Sequence, residues 1–371
     1  AQAASGLVPN ICPEYVIFSD DFRDSPEWGS SVILAAWQQY EWTGDKTALE
    51  WYYPVMCRYV DYLREQSKDL ILQHSLGDWH DIGPRGPGRS QLTPNKLTAT
   101  AMFYEDLRTL ARIAFLLGKT EEAKQYDSEA AEVKTAYNKE FFNKERGIYA
   151  TGSQCANSIS LVFGLAESGD RLRILDAIVK DVEEKGLTAG DVGYRYLLRA
   201  LADEGRSDVI YRMNNQATKP GYGYQLAEGC TSLAEAWDGL KVWSQNHFML
   251  GQINEWFYHD LAGIAPDIAA PGYKNIIVRP QPVDGVYWAK ATYQSPYGPV
   301  TTSWKKESGR FILELDIPAG STATVTMPSS GVVTDELKGK TAIQSDGIRQ
   351  SALGVYQLQS GIYRLSVPYE Y

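Results

Sequence analysis

The sequence predicts a mainly α-helical region of antiparallel helix pairs arranged in a ring, followed by an antiparallel β-sandwich. Three observations carry this. From about residue 28 to 262 apolar residues recur at helical spacing, whereas after Ala269-Ala-Pro-Gly272 the period drops to two. Gly-containing breaks such as Leu117-Gly118-Lys119 and Glu204-Gly205-Arg206 fit short αα-hairpin turns. Bland links alternate with links rich in Trp, Gly and carboxylates. A ring of helix pairs gives that alternation, because every second loop lies on the same face.

The first helical segment is Ser31 to Tyr40. Ala48 to Leu63 is the second, with Leu49, Tyr52, Tyr53, Met56, Tyr59, Val60 and Leu63 at its apolar positions. Asn95 to Leu117 comes next, opened by Thr93-Pro94. Further helices fit 121–138, 153–167, 170–185, 191–203, 207–216 and 244–258. The total is about ten, where a closed ring of six pairs needs twelve. Beyond Pro271-Gly272 the segments 275–279, 286–293, 300–305, 311–317, 322–327 and 363–367 read as short strands separated by Gly, Pro, Ser and Asp. The expected domains are therefore residues 1–270 and 271–371.

Composition removes several function classes. Acidic residues number 46 against 36 basic ones, for a formal net charge of −10, which argues against a nucleic-acid partner. No apolar run is long enough to span a membrane. Cys12, Cys57, Cys155 and Cys230 are scattered, with no CxxC pair, and read as buried small hydrophobes or free thiols. His80, His247 and His259 lack the HExxH spacing of a zinc site, and no loop matches an EF-hand, so no metal is expected. Gly221-Tyr-Gly-Tyr224 is no phosphate loop; its tyrosines suggest an aromatic rim. No cofactor motif and no GxSxG elbow is present. The ten Trp and 24 Tyr instead suggest a pocket that stacks flat, polar ligands.

The chemically rich links are Asp24-Ser-Pro-Glu-Trp28-Gly, Leu76-Gly-Asp78-Trp79-His-Asp81, Ala150 to Asn157, Thr188-Ala-Gly-Asp191-Val-Gly193 and Cys230 to Asp238. Glu235 lies among small residues and beside Trp237, where desolvation can raise a carboxyl pKa as a general acid or base requires. A capping or ion-pair role fits the same position. Trp79 and Trp28, each beside carboxylates, suit a sugar whose C–H face stacks on the ring while its hydroxyls bond the acids; core packing is the other reading. His247 opens a helical stretch, where a structural donor is the plainer assignment.

Taken together, Gly6-Leu-Val-Pro-Asn10, the Asp24–Gly29 and Leu76–Trp79 links, Thr188–Gly193, Pro220-Gly-Tyr-Gly-Tyr-Gln225, Thr231–Asp238 and Asn246-His-Phe-Met-Leu-Gly251 resemble bacterial α-L-rhamnosidases of glycoside hydrolase family 78, in order and through nearly the whole chain. Ser295-Pro-Tyr-Gly298 to Trp304 is similar to that family's C-terminal β-domain. The resemblance implies an (α/α)6-type barrel with its N-terminal helices missing, then a β-sandwich. It implies inverting release of terminal α-L-rhamnose from a glycoside or polysaccharide. In that scheme Glu235 matches the general base, Trp237 and His247 match pocket residues, Trp28 and Trp79 resemble the stacking tryptophans, and Asp78 stands where a hydroxyl-binding or helix-capping Asp would be.

The family's general acid belongs to a Cys-Pro-Gln-Arg-Asp-Glu-Arg type motif upstream of Gly-Leu-Val-Pro, and nothing in this sequence matches it. Trp42-Thr-Gly-Asp45 shares part of that motif's tail but reads as a helix-to-helix turn. Ala234 stands where a bulky residue is expected before the base. The chain, opening at Ala1 without Met, is thus expected to begin inside a domain, with the N-terminal part of the same protein as its partner. Two alternatives stand beside a rhamnosidase. One is a non-catalytic rhamnose- or glycan-binding protein. The other is an α/α-barrel hydrolase for another sugar; an unsaturated uronic acid would need a cationic partner, whereas these links offer mainly Asp and Glu.

Overall fold

The computed structural model describes residues 2–238 and 244–370; the chain start at Ala1 lies outside them. The chain divides into two compact units, Ala1–Trp37 with Thr47–Glu204 and Val209–Gln252, and Gln38–Lys46 with Gly205–Asp208 and Ile253–Tyr371.

The helical elements are α1 (Pro26–Gly29), α2 (Ser31–Thr43), α3 (Thr47–Gln66), α4 (Asn95–Leu116), α5 (Thr120–Phe141), α6 (Gln154–Val162), α7 (Arg171–Lys185), α8 (Gly193–Asp203), α9 (Ser207–Asn214) and α10 (Tyr222–Ala227). Two minimal hairpins interrupt them: β1 (Ser67–Lys68) with β2 (Ile71–Leu72), and β3 (Phe142–Asn143) with β4 (Ile148–Tyr149). In α4, Leu97, Phe103, Leu107, Leu110 and Ile113 are fully buried, and each contributes about 1.5–3 kcal/mol by leaving water. Helix α4 turns back into α5 through Gly118, whose φ of 78° suits a left-handed stop. Ser153 caps α6, its hydroxyl accepting from the Ala156 N–H at 3.1 Å.

Short turns join α2 to α3, α4 to α5 and α8 to α9. Trp42-Thr-Gly-Asp45 is one of them, with Gly44 at φ 72° and its N–H on the Tyr40 carbonyl at 2.8 Å. Hydrogen bonds lace the rich links and their flanks together. Ser25 Oγ accepts from Leu76 N–H at 2.9 Å. Thr93 and Ser153 hydroxyls share a 2.7 Å hydrogen bond. Gln154 Oε1 accepts from Thr188 N–H at 2.9 Å, and the Pro220 carbonyl accepts from Leu187 N–H at 3.1 Å. Alternation along the sequence thus becomes adjacency in space.

A continuous helix over 244–258 does not form. Ser244 to His247 instead runs beside Leu233 to Glu235: Glu235 N–H donates to the Ser244 carbonyl and His247 N–H to the Leu233 carbonyl, both at 2.9 Å. Those groups are taken before a helix can use them. The chain then makes a 3-10 turn at Phe248–Gln252, α11 (Ile253–Trp256) and a π turn at Phe257–Leu261. In the 221–224 segment, expected to form an aromatic rim, both tyrosines are half-buried. Tyr222 starts α10 and packs its ring against Trp237 at 5.2 Å.

In the second unit, β5 (Ile264–Pro266), β6 (Asn275–Val278), β7 (Trp288–Ser295), β8 (Gly298–Glu307), β9 (Arg310–Ile317), β10 (Thr322–Thr326), β11 (Thr334–Asp335), β12 (Lys340–Thr341), β13 (Ile348–Ala352), β14 (Val355–Leu358) and β15 (Gly361–Pro368) form two sheets. Their orders are β13-β14-β10-β6-β5 and β12-β11-β15-β9-β8-β7. Alternating inward residues of both, among them Ile276, Val325, Trp304, Leu313 and Leu365, build one core, which makes a sandwich. Pairing is antiparallel except for β6 and β10, which run parallel because β7, β8 and β9 cross into the other sheet between them. This unit also holds Gly272 N–H on the Glu41 carbonyl at 2.8 Å and Trp256 Nε1 on Ser207 Oγ at 2.9 Å.

Candidate functional site

The first unit gathers carboxylates, imidazoles and indoles at its laced loops. Its framework is Asp78. With 1% of its surface exposed, this residue accepts from Gly193 N–H at 2.6 Å through Oδ1 and from Gly190 N–H at 3.0 Å through Oδ2. It thereby satisfies amides at the start of α8 and binds the 188–193 loop to its own. Burial, with Asp81 nearby, raises its pKa to about 7 despite those two amides. The seam continues with Asp191 N–H on the Trp79 carbonyl at 2.8 Å. Only glycine fits at 190, since a Cβ there would sit 2.1 Å from the Trp79 carbonyl oxygen and 2.6 Å from Asp81 N. Asp81 in turn accepts from Gln91 and Leu92 N–H at 2.9 and 2.7 Å, fixing the next stretch of loop.

Glu235 is arranged differently. Its Oε1 lies 3.7 Å from His80 Nε2 and 3.9 Å from His247 Nε2, and its side chain keeps 21% exposure. Its Oε2 accepts a long 3.3 Å hydrogen bond from Ser244 N–H. His80 is buried and held at φ 62°, an uncommon backbone for a residue with a Cβ. Burial pushes its imidazole below the usual histidine value, a shift that Glu235 opposes and His247 reinforces. His247 is half-buried, with its ring parallel to Phe248 at 6.0 Å. The result is a partly open carboxylate between two imidazoles.

The tryptophans divide. Trp79 is half-buried, with its ring edge to Phe22 at 5.5 Å and 5.0 Å from His80. Trp28 is half-buried in α1, next to Glu27, whose Oε1 accepts from Ser75 Oγ at 2.5 Å and which burial raises to about 7. Trp237 is buried as a core side chain. Its Nε1 donates to the Ala189 carbonyl at 3.1 Å, and its indole meets Tyr194 and Tyr222 edge-on at 5.1 and 5.2 Å. It stands behind the 188–193 loop.

Two residues join the site that the sequence left inside their motifs. His80 comes directly after Trp79, and no local signal marks it as a neighbour of a residue at 235. Asp191 is 3% exposed with Oδ1 free of any hydrogen bond; burial, then Asp78 and Glu235, raises it to about 8. Its place in one of the rich links was the available clue. Among the described residues no His/Cys/Asp/Glu group is arranged to hold a metal ion, and no helix is long and apolar enough to cross a membrane.

A helical unit with laced, carboxylate-bearing loops followed by a β-sandwich is a glycosidase architecture. Residues 1–261 match the model of the bacterial α-L-rhamnosidase 6-hairpin glycosidase domain, and residues 263–342 that of the bacterial α-L-rhamnosidase C-terminal domain. The chain belongs to the bacterial α-L-rhamnosidase family. It is 30% identical to an α-L-rhamnosidase of Streptomyces avermitilis over 99% of its own length and 35% of that protein. It superposes on the α-L-rhamnosidase structure from Dictyoglumus thermophilum with a TM-score of 0.89 at 30% identity, covering 99% of this chain and 42% of that one. The Streptomyces avermitilis structure complexed with L-rhamnose gives 0.87 at 28% identity, covering 99% and 35%. The chain thus spans about a third of the length of the curated relatives it matches.

Proposed function

We propose that this chain carries the general base and much of the sugar pocket of an inverting α-L-rhamnosidase acting on terminal rhamnosides. The observation that carries the reading is the Glu235 carboxylate, partly open between the His80 and His247 imidazoles. Its family membership and its likeness to a protein solved with L-rhamnose support the choice of sugar. Glu235 takes a proton from the water that attacks the anomeric carbon, while a carboxylic acid about 6.5–9.5 Å away protonates the leaving oxygen. His80, kept neutral by burial, and His247 orient Glu235 and the sugar hydroxyls. Trp28 and Trp79 supply stacking faces, while Asp78 and Trp237 hold the loops that present them. We place the acid in the part of the longer relatives outside the matched span, because the sequence holds no counterpart of its motif.

An aryl rhamnoside with a good leaving group tests this, since a stable phenolate departs with little proton assistance. Glu235→Gln is expected to lower its turnover by about 10²–10⁴-fold, with the inverted anomer appearing first by NMR in the unsubstituted chain. Turnover undiminished in Glu235→Gln overturns the assigned base. A second reading, rhamnose binding without turnover, is favoured by the missing acid motif. Calorimetric binding of rhamnose with no product formed selects it.

A further inference from the structure

The 188–193 loop pairs its backbone almost completely. Its amides at 188–191 and 193 are all hydrogen-bonded, and so are its carbonyls at 188–191. The Asp191 carboxyl is the exception: it is buried, and Oδ1 has no partner among the described residues. The backbone of Asp191 is pinned on both sides, its N–H to the Trp79 carbonyl and its carbonyl to Gln252 Nε2, each at 2.8 Å. The second bond also fixes the Gln252 amide, since only its nitrogen can donate. Gln252 Oε1 is thereby a second buried oxygen without a partner among the described residues. Buried polar atoms are normally paired, and leaving them unpaired is costly. A loop that satisfies everything else, yet keeps two such oxygens on touching residues near the Glu235 charge, is shaped to receive a polar group.

Resting on the rhamnosidase reading, we propose that Asp191 and Gln252 form a specificity pair that grips one ring hydroxyl of the sugar beside Glu235. A hydroxyl has one proton to give and lone pairs to accept with, so it needs one acceptor and one donor. Gln252 Oε1 accepts the proton, and the Asp191 carboxyl in its acid form donates to the oxygen. Burial first, then the charges of Asp78 and Glu235, raises this carboxyl to about 8, so the acid form prevails at neutral pH. Ionised, Asp191 would offer only acceptors and set a second negative charge against Glu235. The titratable groups around this corner are Asp78, His80 and Asp81 on one link, Glu235 and Asp238 on another, and His247.

Calorimetry at about pH 6 with methyl α-L-rhamnoside and its 2-, 3- and 4-deoxy analogues tests the pair. In the unsubstituted chain at least one deoxy analogue is expected to bind about tenfold more weakly than the parent, or worse. In Asp191→Ala and in Gln252→Ala the parent is expected to lose about tenfold. Discrimination at that one position then shrinks toward one, while the other two positions keep theirs. Asp191→Asn retains a donor and is expected to retain the discrimination. It also isolates the acid from its neighbours. Parent affinity is expected to fall above about pH 8 in the unsubstituted chain, as Asp191 ionises, and to stay level in Asp191→Asn, where Asp78 and the histidines remain. Discrimination unchanged in both alanine variants, or an alkaline fall that persists in Asp191→Asn, overturns the pair and leaves the rhamnosidase reading standing. If methyl α-L-rhamnoside does not bind even the unsubstituted chain, the sugar reading is overturned and the pair with it.

Discussion

Asp78 and Glu235 are carboxylates of the same helical unit, and the fold treats them in opposite ways. Each Asp78 oxygen is used by a backbone amide, in a seam so tight that Gly190 admits no Cβ. Glu235 is left with polar neighbours at 3.3 to 3.9 Å and partial access to solvent. A fully satisfied buried carboxylate is framework, whereas a loosely held, accessible one keeps lone pairs for another molecule. On the proposed reading the contrast separates holding from reacting better than residue type does, since both lie near a Trp in similar motifs.

Substitutions sharpen or break the contrast. The largest effect on stability is expected from Gly190→Ala, whose methyl would meet backbone atoms that cannot yield. A loss of about 3 kcal/mol or more in chemical denaturation checks it. Asp78→Asn turns an NH2 toward one of the two glycine amides and is expected to cost about 2 kcal/mol. An unchanged midpoint would demote Asp78 from framework.

Asp191→Asn gives a pH-dependent gain. In the folded chain Asp191 keeps its proton up to about pH 8, whereas an unfolded Asp releases it near about 4, so the native state binds more protons in that window. Its contribution to stability therefore falls as pH rises from about 4 to 8. The neutral Asn escapes that fall. It should melt a few degrees above the unsubstituted chain at the alkaline end, with the gap closing at the acid end. The smallest shift belongs to Glu235→Gln, expected within about 0.5 kcal/mol of the unsubstituted chain, while on the proposed reading its turnover of an aryl rhamnoside falls. A large loss of stability there would place Glu235 with the framework and break the comparison.

Much of the fold was legible because long amphipathic segments declare themselves. The 95–117 periodicity lies within a residue of α4, and the period-two segments from 275 to 327 and at 363–367 fall on strands β6 to β10 and β15. The two-residue strands of the 67–72 and 142–149 hairpins are too short to show any period. The 244–258 segment misleads because Phe248, Met249 and Leu250 mimic a helical face, while the amides that decide the outcome pair with residues 233 to 235. At the site, the sequence marks Glu235 and Asp78 as chemically notable but cannot say which oxygens are already taken. Asp78's partners lie more than a hundred positions away. His80 and the burial of Trp237 are likewise products of tertiary contact.

The discontinuity of the second unit bears on how the protein can be cut. A boundary at residues 262/263, between the two matched family models, looks natural for expressing the sandwich alone. Yet Gly272 needs the Glu41 carbonyl, and Ser207 both receives Trp256 Nε1 and donates to Gln281 Oε1 at 2.6 Å. Excision at that boundary removes Glu41 and Ser207. It removes the hydrogen-bond partners of Gly272 and Gln281, so the excised piece is expected to be less stable than its eleven-stranded core suggests. A piece meant to stand alone must carry the short segments 38–46 and 205–208 along, which no single cut in the linear chain achieves.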